Sequence, residues 1–136
     1  MENQIERELT AVELNKIALE NLQEQANIKA DELTARYGKK VHPFLFFQNE
    51  GDAIEKIAVG YMKEPNRLDK LQAIDIAFQS PMRAGMRLLE MGLIKEESDH
   101  RYLNDDSAYD AINIGAYQKA LTVVQYSTDL AKKKVV

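Results

Sequence analysis

The stretch 54-IEKIAVGYMKEPNRLDKLQAIDIAF-78 changes period halfway, and its reading decides the fold. Up to Tyr61 the apolar residues alternate. Ile57, Val59 and Tyr61 fall on one side, while Ala58 and Gly60 thin the other and leave room for a helix to pack closely. Side chains that alternate between two faces are the mark of a strand. After Pro65, Leu68, Leu71, Ile74 and Phe78 recur at helical spacing, the pattern of an amphipathic helix. Pro65 ends the strand because it has no N–H to give a ladder. Asn66 suits the helix N-cap, since its side-chain oxygen can accept from an orphan backbone N–H.

Upstream, 41-VHPFLFFQ-48 is rich in aromatic and β-branched residues, and 49-NEGD-52 is a polar loop containing glycine. With the strand up to Met62 this predicts a β-hairpin over 41–62. Phe44 and Phe46 share one face and Leu45 and Phe47 the other, and Pro43 puts its strand at a sheet edge. A lone hairpin is marginal in water, so helices or another chain's strand must cover its apolar face. Before it, residues 3–37 lack proline and glycine and read as one long helix. Thr10-Ala-Val-Glu13 is a capping-box pattern at which the firm helix could begin instead. Gly38 suits a left-handed C′ position, and Lys39 and Lys40 suit the negative end of the helix dipole. Ile5, Val12, Leu19, Ala26 and Leu33 fall seven apart. The companion column (Glu8, Asn15, Leu22, Lys29, Arg36) is mostly polar, which does not support a regular coiled coil. The long helix lies on the body or serves as an oligomer or partner helix.

Downstream, Ser80 and Pro81 have the chemistry of an N-cap and an N1 residue. Met82, Met86 and Leu89 continue an apolar face, and Gly92 ends that helix with Leu93 placed against Leu88 as in a Schellman motif. The segment 95-KEESDHRYLNDD-106 is a polar loop, and Ser107-Ala-Tyr-Asp110 resembles a capping box. The last helix then runs from about 106 to Lys132, with Tyr109, Ile112, Ala116, Ala120, Val123 or Val124 and Leu130 along it. Lys132–Lys134 suit its negative end. The fold class is α+β: a long N-terminal helix, a small β-hairpin at 41–62, two short helices at 66–79 and 81–91, and a long C-terminal helix. Residues 1–30 form an N-terminal helical extension and 31–136 a small α+β domain.

With 136 residues, 45% hydrophobic and 29% charged, the chain has the composition of an ordinary globular protein. A net charge of −4 argues against a general nucleic-acid binder, which needs a basic face to displace counterions. No cysteine is present, so disulfides and thiolate metal sites are ruled out. The N-terminus MENQIERELT is acidic and polar, unlike a signal peptide, and no stretch has the roughly 20 apolar residues of a membrane helix. The expected address is the cytoplasm.

No GxSxG, P-loop, GxGxxG, HExxH or paired histidine occurs, so neither enzyme chemistry nor a cofactor is expected. His42 beside Pro43 reads as a strand-edge residue. His100 sits among Asp99, Asp105 and Asp106, which could hold a cation, although a loop of this composition is more often solvated. Between residues 96 and 110 the acids Glu96, Glu97, Asp99, Asp105, Asp106 and Asp110 face Arg101 alone among lysines and arginines. They form an acidic partner surface or simply cap helices and aid solubility.

The run 31-DELTARYGKKVHPF-44, the hairpin ending GYMKEPNRLDKLQA and the segment QSPMRAGMRLLEMGLI resemble a group of small tailed-phage proteins, the tail assembly chaperones. The marks are Tyr37-Gly38-Lys39, Tyr61, Lys63, Pro65, Arg67 and Leu88-Leu89-Glu90, and the resemblance spans about residues 31–126. It implies a non-enzymatic protein acting in virion assembly in the host cytoplasm. The implied partner is a phage structural or tape-measure protein, whose apolar helices it keeps soluble until tail-tube subunits replace it. The alternative is a structural protein retained in the head or tail of the virion. A homo-oligomer is compatible with either; a membrane is not. The hairpin holds more large apolar groups than one strand face can bury, and aromatics and arginine most often anchor interfaces. Phe44, Phe46, Tyr61, Met62, Lys63 and Arg67 are therefore the expected partner surface, unless the helices cover them.

Overall fold

The structure, a computed structural model, describes the backbone of residues 2–135 and the side chains of residues 12–124. It is an α+β fold in the order α1 (Glu2–Tyr37), β1 (Val41–Phe46), β2 (Ala58–Lys63), α2 (Arg67–Ala77), α3 (Pro81–Gly92) and α4 (Asp110–Val135). The helix–hairpin–helices order expected from the sequence holds. Ile5 and Glu8 of the seven-residue columns, and Leu130 and Lys132–Lys134, lie outside the described side chains.

β1 and β2 form a two-stranded antiparallel sheet in which His42, Phe44 and Phe46 face Met62, Gly60 and Ala58. Each phenylalanine is thus opposite a residue with little or no side chain. This face turns toward α3 and α4 and builds the main core with Ala84, Leu88, Leu89, Tyr102, Ile112, Ala116 and Ala120. The other face carries Val41 and Tyr61, with Leu45 and Val59 half-covered beside them. There α1 lays Ala26, Ala30 and Leu33, together with Ile94, against the sheet. The hairpin is sandwiched, which is how so small a sheet escapes water on both sides.

Several boundaries differ from the sequence reading. The first helix runs unbroken through Thr10, so the Thr10–Glu13 pattern does not start it. β2 begins at Ala58, not Ile54, because Ile54–Lys56 closes into a 3₁₀ turn. Gly38 does take the left-handed conformation, at φ 70°. Gly92 does not: the residue after it, Leu93, is extended and its N–H donates to the Leu89 carbonyl, so no Schellman motif forms. A Cβ on Gly92 would stand 2.9 Å from the Lys63 carbonyl oxygen. The glycine is there for close approach of α3 to β2. Space over Gly60 goes not to a helix but to the Tyr102 ring, 2.7 Å from where a Cβ would be. Asp106, rather than Ser107, caps the turn before α4, its Oδ1 accepting from the Ala108 N–H. Asn66 and Ser80 cap α2 and α3 as expected.

The apolar stripe expected on α2 is inverted. α2 packs on α3 and α4 through Ala73, with Ile74, Ile76 and Ala77 half-buried, while Leu68, Leu71 and Phe78 face solvent. α2 has apolar residues on both sides, and Ala73 lets the helices approach where the larger side chains would hold them apart.

Candidate partner-binding surfaces

The six residues expected to form the partner surface do not form one. Phe44 and Met62 are fully buried beneath α3 and α4, and Tyr61 is buried beneath α1. Phe46 is half-buried against the same core, its ring edge-on to Phe44 at 6.3 Å. The chain's own helices cover both faces of the hairpin, so these aromatics are core. Lys63, half-buried, lies at the end of β2, and Arg67, exposed, at the start of α2.

Those two border an open notch between the C-terminus of α1 and the N-terminus of α2, lined by Gly38, Lys39, Lys40, Glu64, Pro65 and Asn66. Its polar groups are mostly engaged. The Lys63 ammonium rests 5.0 Å over the Tyr37 ring, and the Asn66 side chain is spent on the Asp69 N–H. Glu64 Oε1 is 3.5 Å from Lys70 Nζ and 3.8 Å from His42 Nε2. That nitrogen is buried without a hydrogen-bond partner, and burial pushes the His42 pKa below its ordinary value despite the nearby carboxylate.

The sheet edges are closed rather than offered to a strand. On β2, the Ile94 N–H donates to the Tyr61 carbonyl, the Asp99 N–H to the Val59 carbonyl, and the Tyr61 N–H to Ser98 Oγ. On β1, Lys119 Nζ reaches from α4 to the Pro43 carbonyl and lies 5.2 Å over the Phe44 ring. Burial holds the pKa of this amine below the usual lysine value. Pro43 is at an edge, as its missing N–H requires, and the lysine blocks strand addition there.

The polar loop is structural. Asp99 makes a bidentate bond with Arg101 at 2.9 and 2.8 Å, which holds its carboxyl below the usual carboxylate range. Glu97 joins Lys29 at 2.6 Å and Arg36 at 3.3 Å, tying the loop to α1. His100 is largely exposed, 3.6 Å from Asp99. Among the described residues no three His, Asp or Glu side chains gather as a metal site. Sequence reasoning missed the loop's organiser, Asn113 on α4. It is buried; its Nδ2 donates to the carbonyls of Arg101, Asn104 and Tyr109, and its Oδ1 accepts from the Leu103 N–H. Leu103 sits at φ 65°, a strained conformation for a residue with a Cβ. One polar residue among the apolar ones of the last helix was the available signal.

The accessible apolar groups lie on helices. α2 presents Leu68 (63% exposed), Leu71 (53%) and Phe78 (87%). On α1 none of residues 12–25 is buried, Leu22 is half-buried, and Val12, Leu14, Ile17 and Leu19 are exposed. Leu14, Ile17 and Ile28 fall on the side away from the hairpin, whereas Val12, Leu19 and Leu22 continue the Ala26–Leu33 stripe beyond the sheet. Among the described residues no helix is long and apolar enough to cross a membrane. The molecule is thus a small α+β protein with closed sheet edges and open helix faces. No protein-family model, curated protein or solved structure matches the chain.

Proposed function

We propose that this chain is a non-enzymatic binding protein of phage tail assembly that keeps an apolar helical client, of the tape-measure type, in solution. The observation that carries the reading is the outer stripe of α1. Leu14, Ile17 and Ile28 are all more than half exposed, on the side the hairpin does not reach. Large apolar groups in such a row suit a helix-on-helix contact, and surfaces of this kind mark interaction sites. The resemblance of residues 31–126 to tail assembly chaperones supports the phage context.

The test is co-expression with the tape-measure protein of the same phage, reading the soluble fraction of the client. The reading expects the wild-type chain to raise that fraction and Ile17→Asp to abolish the effect while the circular dichroism spectrum is unchanged. A client equally insoluble with and without the wild-type chain would overturn it. Retention as a virion component is the second reading, favoured by the projection of α1 past the domain. It predicts the chain in purified particles by mass spectrometry.

A further inference from the structure

We propose that the exposed stripe of α2 is the docking site for the exposed stretch 12–22 of α1 from a second copy of this chain, the two helices running antiparallel. The inference uses a different face of α1 from the client stripe and does not depend on the chaperone reading.

Two apolar rows on the same molecule lack a partner, and their spacings match in reverse. On α1, Val12, Leu19 and Leu22 are separated by seven and then three residues. On α2, read from C- to N-terminus, Phe78, Leu71 and Leu68 are separated by seven and then three. In one antiparallel register Val12 meets Phe78, Leu19 meets Leu71 and Leu22 meets Leu68. All three pairs fall in step because both helices advance at the same rise per residue. The one charge inside the α2 row is Asp75, at the helical position between Leu71 and Phe78. The register places Asn15 level with it, with Lys16 one residue further along α1.

The flanking charge is complementary at the Arg67 end. Between residues 12 and 25, α1 carries Glu13, Glu20 and Glu24 against Lys16. The α2 row is bounded by exposed Arg67 at one end and exposed Arg83, in the first turn of α3, beyond the other. Arg67 stands at the end that meets Gln23 and Glu24. Opposite potentials of this kind fix register and discourage wrong pairings.

Intramolecular docking cannot supply this contact. α1 is held against the hairpin by Ala26, Ala30 and Leu33, and residues 12–25 continue the same unbroken helix away from that anchor. The contact is heterologous, one patch on a different patch, so it links copies in a closed pair or an extending chain. A row of about three helical turns is small, so association depends on concentration.

The experiment is light scattering on the full-length chain over a concentration series, with three variants checked by circular dichroism. The wild type should rise above its 15.5 kDa monomer mass with concentration. Leu19→Asp on α1 should hold the chain at the monomer mass, and so should the double variant Leu71→Asp/Phe78→Asp on α2. All these positions are exposed, so folding is not at stake. The deciding sample is an equimolar mixture of the two variants, each of which keeps the half the other lacks. The mixture should associate although neither component does alone. A wild type that stays monomeric at every concentration overturns the proposal. So does an α2 double variant that still associates, which would indicate α1 pairing with α1, and so does a mixture that fails to associate.

Discussion

Asn113 and Gly85 each occupy a place that no other residue type fills. Asn113 spends its whole amide: Nδ2 reaches three carbonyls and Oδ1 takes the Leu103 N–H. Alanine there would strand an N–H and loop carbonyls away from water and release the restraint on Leu103 at φ 65°. Leaving buried polar groups unpaired costs about 1–3 kcal/mol each. Asn113→Ala is expected to lower the unfolding free energy by about 3 kcal/mol in a urea titration, with Asn113→Asp recovering only part. Gly85 makes its case by space. A Cβ there would lie 2.1 Å from the Tyr117 carbonyl oxygen, and backbone cannot swing aside as a side chain can. Gly85→Ala must push α3 from α4, and overpacking of this kind costs roughly 1–3 kcal/mol, measurable as a lowered melting temperature. Asn113 and Gly85 are unremarkable letters in the sequence. Their roles arise from partners 4–12 residues away in one case and from a helix more than two dozen residues along the chain in the other.

At the scale of elements, α1 is two things in one helix. Its 36 residues span about 54 Å, but among the described side chains burial begins at Ala26. The C-terminal third is a structural layer over the hairpin, and residues 12–25 are a free face. Ile17→Ala, in the exposed part, is therefore expected to leave the stability of the monomer within about 0.5 kcal/mol, as for changes away from buried features. Leu33→Ala, under the same helix, should cost about 2–5 kcal/mol. Equal losses in the two chemical-denaturation curves would contradict this division. Whether the long helix lies on the body was left open by its sequence; its C-terminal part does, through Ala26, Ala30 and Leu33, while none of residues 12–25 is buried. The reversal of α2 has the same origin. Period 3.6 identified the helix, and the caps at Asn66 and Ser80 fixed its ends. Periodicity could not choose between the Leu68–Leu71–Phe78 side and the Ala73–Ile76–Ala77 side, because the choice rests on how near α3 and α4 can come.

For the molecule as a whole, His42 sets a pH dependence. Its folded pKa lies below the ordinary 6.5, chiefly from burial. Below about pH 6.5 the unfolded chain therefore binds a proton that the folded chain resists, and stability falls with pH. The loss should appear in urea midpoints as pH drops from 7.5 toward 5 and be flattened by His42→Gln. The Asp99 contribution, from a carboxyl held below its ordinary value by Arg101, has the same sign but is lost only in the acid range below that. The sequence alone determined the order and kind of the elements, because caps, proline and the change from period 2 to period 3.6 are local signals that act over a few residues. It also showed why the hairpin needs cover, since Phe44, Phe46 and Tyr61 are too much apolar surface for one face. It could not show that α1 covers one side and α3 and α4 the other, which turned an expected binding surface into a core. Burial depends on which distant faces fit closely, and only the packed chain decided that Phe44 goes inside while Phe78 stays out.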